Sequence, residues 1–206
     1  SSFLGVGDAI RAKGLFCSLY ADRGSHYWHT PEAGGKVDKA NPTQFGRALN
    51  QLGIELIPAY SPEARGRSER MFGTLQNRLP QELRLKGITT MEAANRFLAE
   101  EYLPKHNERF SVTPSGEGSA FVPFAGDLND ILCVKEERVV GKDNTVHYKN
   151  RCLQIPADSH RNHYVKARVR VHEYSNGQLA VFHGPRKLAL YDANGKGIEN
   201  DKKQAA

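Results

Sequence analysis

Long apolar runs are missing from this sequence. No stretch of about 18 apolar residues occurs, so no segment is expected to cross a membrane as a helix. Cysteine is scarce too: Cys17, Cys133 and Cys152 are odd in number, far apart and without metal-ligand spacing. Neither a disulfide framework nor a cysteine-held zinc follows from them, and three reduced, partly buried thiols in a cytoplasmic protein are expected. The first residues, S-S-F-L-G-V-G-D-A-I-R-A-K-G, lack the basic leader, apolar stretch and cleavage site of a signal peptide. They also lack an initiator methionine, which points to a processed chain or a fragment.

Positive charge is present in excess. Lysine and arginine number 29 against 23 aspartates and glutamates, a net charge of +6. This balance favours a polyanionic partner, with nucleic acid the leading candidate, although it speaks to association and not to fold. The 206 residues suit one ordinary domain or two small ones and suffice for a buried core.

The first half reads as alternating helices and strands. Phe3, Val6, Ala9 and Ile10 fall at helical spacing over residues 1–13, with Gly14 as the stop. The run L-F-C-S-L-Y-A is short, apolar and aromatic, as expected of a strand buried on both faces, and it ends on Asp22. A loop of about twenty residues follows, R-G-S-H-Y-W-H-T-P-E-A-G-G-K-V-D-K-A-N-P, long enough to be functional or disordered. A helix over 43–52 sets Phe45, Leu49 and Leu52 on one face and ends at Gly53, before a second strand, I-E-L-I-P-A. A right-handed crossover makes two such strands parallel, and ligands of open α/β sheets bind beyond the C-terminal strand ends. Asp22 and the Tyr60–Gly66 turn both follow such ends.

Beyond that turn, a helix opening near Gly66 is expected to bury Phe72, Leu75 and Leu79. It carries Glu69 near its N-terminus, where the helix dipole favours a carboxylate, amid Arg65, Arg67 and Arg70. One acid among three arginines has two readings: exposed ion pairs on a wet helix face, or a metal-holding carboxylate beside a polyanion. The next helix has Thr90 as its N-cap and should stop at Pro104. The small residues S-G-E-G-S-A then mark a domain boundary.

From Asp127 the texture changes to alternating residues and tight turns. D-I-L-C-V-K-E-E-R-V-V, T-V-H-Y-K-N-R-C-L-Q-I-P, Y-V-K-A-R-V-R-V-H-E-Y and Q-L-A-V-F-H-G read as strands, with turns at Gly141–Asn144 and Ser175–Gly177. Short strands packed this closely suggest a small all-β barrel. Lys166, Arg168 and Arg170 alternate along one strand, as either a phosphate-contacting stripe or a solvated sheet face.

Asp22 and Glu69 follow successive strands on one sheet edge. Carboxylates gathered in this way bind Mg²⁺ or Mn²⁺, hard ions that take oxygen ligands and polarise a phosphodiester. The residues around the two acids carry a resemblance. Y-S-P-E-A-R-G-R-S-E-R resembles the segment around the last catalytic acid of retroviral-type integrases and insertion-sequence transposases, with Pro62, Gly66 and Glu69 at the marked places. D-R-G-S-H-Y resembles the segment around the middle acid, through Asp22, Gly24 and Ser25. The interval between the acids is longer than in the compact retroviral enzymes. Its surplus, H-T-P-E-A-G-G-K-V-D-K, is similar to that of DDE transposases of the ISNCY group, and the similarity covers nearly the whole chain.

The resemblance implies an α/β ribonuclease-H-like (integrase core) fold over residues 1–115, N-terminally truncated. A linker at 116–126, a small all-β SH3-like barrel at 127–198 and a flexible tail at 199–206 would follow. It implies DNA transposition by metal-dependent strand cleavage and strand transfer, with Asp22 and Glu69 as two of three catalytic ligands of Mg²⁺ (or Mn²⁺). The family's first Asp stands on an upstream strand that this sequence does not contain, and Asp8, in a helix, is not expected to replace it. The chain by itself is therefore expected to be inactive; the alternative is a truncated relic acting at most as a DNA-binding module. Arg65, Arg67, Arg70, Lys166, Arg168 and Arg170 are the implied DNA contacts, with transposon ends and target as partners. His26 and His29 either approach DNA or a metal or are polar loop surface. Trp28 reads as a hydrophobic anchor for the loop, or as a residue that stacks on a base or docks on a partner helix, and Glu32 and Glu63 as ordinary surface acids. A homo-oligomer in the intact form, no membrane partner and a cytoplasmic, nucleoid-associated location complete the expectation.

Overall fold

The computed structural model describes residues 2–32, 35–113, 116, 118–158 and 161–198, the side chains of 62–64 excepted. The expected tail at 199–206 lies outside the described residues. The chain divides into two compact units, Ser1–Pro58 with Phe121–Ala206, and Ala59–Ala120.

The first unit opens with α1 (Ser2–Lys13), which stops at Gly14. Gly14 has φ +104°, and a Cβ there would lie 2.7 Å from the Val122 carbonyl oxygen, so both conformation and space require glycine. Leu15 and Val122 exchange backbone hydrogen bonds of 2.7 and 2.9 Å, so a residue of the expected linker is paired with the N-terminal region. β1 (Ser18–Ala21) and β2 (Glu55–Pro58) are parallel, with Ser18 opposite Glu55 and Ala21 opposite Pro58. Between them runs α2 (Gln44–Gln51), whose Thr43 cap accepts the Gly46 N–H at 3.2 Å and donates to the Tyr27 carbonyl at 3.0 Å. Phe45, Ala48 and Leu49 pack with Ile10, Trp28, Leu56 and Leu132 in one core.

β1 differs from the expected doubly buried strand. Ser18 is exposed and Tyr20 is 59% exposed. Among the described residues β1 pairs with β2 alone, so its other edge meets no strand and its alternate side chains face water. The arrangement of helices with a parallel strand pair is α/β, as expected.

The β-rich region contains β3 (Val134–Val139), β4 (Thr145–Tyr148), β5 (Arg151–Gln154), β6 (Arg168–Glu173), β7 (Leu179–His183), β8 (Arg186–Tyr191) and β9 (Gly197–Ile198). Five of these form an antiparallel sheet in the order β3-β6-β7-β8-β9, while β4 and β5 form a separate hairpin. The expected barrel is thus not found: among the described residues the hairpin's ladder does not join the sheet's, and the strands do not close. The run 145–156, expected as one strand, is folded back at Lys149 and Asn150, whose φ of 43° and 62° suit a two-residue type I′ turn. The turns at Gly141–Asn144 and Ser175–Gly177 stand where the sequence places them, with Gly177 at φ +83°. Tyr148, Leu153, Val171, Val181 and Tyr191 fill a second core. Side chains of α2 tie it to this region: Gln44 exchanges hydrogen bonds with the Lys135 backbone at 2.8 and 3.0 Å, Arg47 donates to the Ile131 and Cys133 carbonyls at 3.2 and 2.5 Å, and Gln51 accepts from Lys135 Nζ at 3.0 Å.

The second unit is helical. α3 (Pro62–Leu85) leads to α4 (Met91–Phe97), a π-helical turn at Leu98–Tyr102, and α5 (Leu103–Phe110). α3 begins at Pro62 and not near Gly66, because proline at the first helical position is already set to a helical φ. The face expected to be buried is not: Phe72 is 51% exposed, and Leu75 and Leu79 are half-buried. Thr90 caps α4 as expected, accepting the Ala93 N–H at 3.2 Å. Pro104 does not stop the helix. Its ring would clash with the carbonyl four residues back, and the turn before it widens instead, Leu103 N–H bonding to the Leu98 carbonyl five residues back.

All three cysteines are free, but only Cys133 is buried; Cys17 and Cys152 are exposed, against the expectation of partial burial for all three. Burial pushes the Cys133 thiol up to about 11. Among the described residues no helix is long and apolar enough to cross a membrane.

Candidate active site

Asp22 is the first residue past β1. Its Oδ1 accepts the Gly24 N–H at 3.0 Å, folding the carboxylate back over D-R-G. A Cβ on Gly24 would lie 2.9 Å from that oxygen and 3.1 Å from the His26 ring, so only glycine leaves the carboxylate in place. Gly24 is thus a positioning residue that the sequence flags only as part of a motif.

The loop after Asp22 is folded onto the unit's core. Trp28 is 7% exposed and packs with Val37 in that core, which makes it the loop's hydrophobic anchor. Arg23 Nη1 donates to the Gly35 carbonyl at 3.0 Å, and the Asp38 N–H donates to the His29 carbonyl at 2.8 Å. Asp38 in turn accepts from the Asn41 side chain and from the backbone N–H groups of Ala40 and Asn41, which together hold its carboxyl below the usual range. His26 and His29 are exposed, and the His26 ring lies 3.9 Å from that of Tyr27.

Glu69 stands two turns into α3, because the helix opens at Pro62. The helix dipole acts within the first turn, so it gives this carboxylate no special favour. Glu69 is exposed and forms no ion pair among the described residues, which removes the support for reading it as one member of an arginine network. Arg70 instead donates Nε to the Gly66 carbonyl at 3.1 Å. Helical spacing sets Arg65, four residues earlier, on the side of Glu69, and Arg67 and Arg70, three apart, on a neighbouring side. Arg67 and Arg70 are exposed and Arg65 is half-buried. The side chain of Glu63 lies outside the described residues.

In the β-rich region Arg168 and Arg170 project from β6 between buried Val169 and Val171. Arg170 lies opposite Glu137 and donates Nη2 to the Gly184 carbonyl at 2.7 Å. Lys166 does not share their strand: it sits in the preceding turn at φ +62°, its N–H bonded to the Val140 carbonyl. The expected stripe of three is therefore two arginines. The next outward position, His172, is 3% exposed and stacks on Phe182 at 4.1 Å. Neither of its ring nitrogens has a hydrogen-bond partner among the described residues. Burial first, then the Lys135 charge, lowers its pKa to about 4.

No protein-family profile matches the chain. It is 35% identical over 177 residues to "Putative transposase y4bF" of Sinorhizobium fredii, which covers 84% of the chain and 38% of that protein. It is 34% identical over 151 residues to the transposase for insertion sequence IS1202 of Streptococcus pneumoniae, covering 73% of the chain and 32% of that protein. The chain is a homologue of transposases. It spans about a third of the length of these curated relatives.

In this transposase homologue Asp22 belongs to the first unit and Glu69 to the second. Their carboxylates are the right donors for a hard divalent ion, which takes oxygen ligands. Among the described residues, however, no group of three or more His, Cys, Asp or Glu is placed to hold a metal. The described residues alone do not complete a three-acid set.

Proposed function

We propose that the chain is part of an insertion-sequence transposase of the ISNCY type, which binds DNA and cleaves and joins its strands. In this reading residues 1–115 contribute to a ribonuclease-H-like core. Asp22 and Glu69 are two of its three catalytic acids, with Mg²⁺ or Mn²⁺ as the ion of the intact enzyme. The observation that carries it is the parallel β1–β2 pair in a transposase homologue. Asp22 follows the C-terminal end of one strand, and the segment leading to Glu69 follows that of the other, the end where open α/β sheets bind ligands. The ion, when bound, would polarise the phosphodiester. The protein's part is to hold the carboxylates, as the Gly24 N–H does for Asp22, and to meet phosphates with Arg65, Arg67, Arg70, Arg168 and Arg170. DNA as partner, assembly as a homo-oligomer and association with the nucleoid belong to the same proposal.

The test uses the whole protein that contains this stretch. Asp22→Asn and Glu69→Gln should each reduce Mg²⁺-dependent nicking and strand transfer to the level of a metal-free control while DNA binding is kept. Full activity in either variant would overturn its assignment.

A further inference from the structure

The helical unit holds a groove that neither acid explains. Along α4, the π-helical turn and α5, four rings form a column: Phe97 to Tyr102 at 6.0 Å between centroids, Tyr102 to His106 at 6.1 Å, and His106 to Phe110 at 4.8 Å. Tyr102, His106 and Phe110 are spaced by four and share a helix face. Phe97 and Tyr102 are five apart, which in an ordinary α-helix would turn them ~140° from each other. The π-helical turn brings them together, since its hydrogen bonds reach five residues back and it turns less per residue than an α-helix. The widened turn beside Pro104 therefore has a consequence: it makes the column continuous.

Cations border these rings. Arg78, from α3, and Arg109 approach the Phe110 ring at 5.8 and 5.4 Å, and Lys86 lies 5.1 Å from that of Phe97. Lys105 lines the same groove. Two acids are present: Glu101 pairs with Lys86 at 2.7 Å and lies 3.9 Å from Lys105, and Glu82 lines the wall. Four cations against two acids leave the groove positive at neutral pH. A purely structural ring column would be buried, yet only Phe97 is, at 7% exposure, while Phe110 is 46% exposed. The groove measures about 240 Å³. That is below the ~300–1,000 Å³ of a site that encloses a whole small molecule.

We infer that this groove between α3 and α4–α5 binds unpaired nucleotides of a DNA strand, with bases on the exposed rings and phosphates against Arg78, Lys105 and Arg109. Open aromatic faces in a positive groove are what single-stranded nucleic acid requires, because every base has a face to stack and every nucleotide a phosphate to neutralise. A paired duplex hides its base faces and cannot use the ring column. The choice of DNA rests on the transposase reading proposed above; the groove itself does not include Asp22, Glu69 or the arginines beside Glu69.

The test is fluorescence anisotropy on the full chain, with a labelled single-stranded DNA and a blunt duplex of equal length, over a range of salt. Phe110→Ala should weaken single-strand binding by at least ~5-fold and leave duplex binding within about twofold. Lys105→Gln should lower the single-strand salt slope by roughly 0.7. Phe110→Trp, which keeps a stacking face, should retain binding, and its fluorescence should be quenched by the single strand and not by the duplex. This variant also guards against a folding defect in Phe110→Ala. Unchanged single-strand binding in Phe110→Ala and Lys105→Gln, in a chain that binds DNA, would overturn this inference and leave the transposase reading standing. Tighter binding of single-stranded RNA than of DNA would overturn the choice of partner. Absence of all binding at low salt would count against both.

Discussion

Helices α2 and α3 look alike in sequence and end up in opposite surroundings. Phe45, Leu49 and Leu52 mark one face of α2, and Phe72, Leu75 and Leu79 mark one face of α3, at nearly the same spacing. In the first unit Leu49 is fully buried, while in the second Phe72 is half exposed. The contrast extends to the whole units: every buried apolar residue among those described lies in the first, Phe97 excepted. Periodicity specifies a face, but burial requires a second surface to receive it. α2 has one in β2, Trp28 and Leu132. Among the described residues α3 has half-covered leucines and a groove open to water. The first unit is thus held by packed cores, whereas the second leaves apolar and aromatic surface exposed, as a binding element does.

The largest test of this contrast is a pair of truncations. Leu49→Ala should cost about 2–5 kcal/mol, from lost transfer free energy and the cavity left behind. Phe72→Ala, at a half-exposed position, should cost under about 1 kcal/mol. Urea denaturation followed by far-UV circular dichroism measures both. Equal losses would mean that α3 is buried in solution against a surface such as a second copy of the chain, and the contrast would break.

The second test is the titration of His172, which lies in the first unit. His172 is buried neutral, with Asp130 3.8 Å away opposing the effects of burial and of Lys135, Arg170 and Arg47. Its pKa falls to about 4 in the folded state, against about 6.5 when unfolded. Between these values the unfolded chain binds a proton that the folded chain does not, so stability is complete above pH 6.5 and is lost as pH drops towards 4. The loss reaches about 3 kcal/mol, at ~1.36 kcal/mol per pK unit. His172→Phe, which can keep the stack on Phe182, should flatten this part of the profile. A wild-type curve parallel to that of His172→Phe between pH 6.5 and 4 would refute the assignment.

Legibility followed the range of the interaction. Caps and tight turns are local, and Thr90, Gly53 and Gly177 are readable because each acts on residues within about four positions, whereas Thr43, first residue of the helix expected over 43–52, is its cap in the structure. Asp22 was readable as the end of an apolar run, and the α/β alternation followed from periodicity. β8 and β9 escaped, although Gly184-Pro185 and Asn194-Gly195 are turn signals of the kind used at Asn176-Gly177. Pro104 was read as a stop because the local rule names the clash and not its relief, and a widened turn depends on how the following residues pack. The burial of His172 has no local signal, since alternation makes it an outward neighbour of Arg170 and its cover comes from Asp130 and Phe182. For the site, residue types and strand ends were legible. The surroundings of Glu69 and the ring column were not, since both depend on how helices are phased against each other.

The smallest test compares the two helix caps. Thr43 is buried, and its hydroxyl both accepts from the Gly46 N–H and donates to the Tyr27 carbonyl, joining α2 to the loop after Asp22. Thr90 is exposed and accepts only from the Ala93 N–H. Replacing either by alanine removes a cap, but only Thr43→Ala also leaves a part-buried carbonyl without its donor. Thr43→Ala should therefore cost about 2 kcal/mol of global stability, and Thr90→Ala about 0.5–1 kcal/mol, felt as faster amide exchange confined to the first turn of α4. Hydrogen exchange on the two variants separates these outcomes. If Thr90→Ala instead loosened the amides of the first unit as much as Thr43→Ala does, the two units would open together, and their difference in packing would not be a difference in stability.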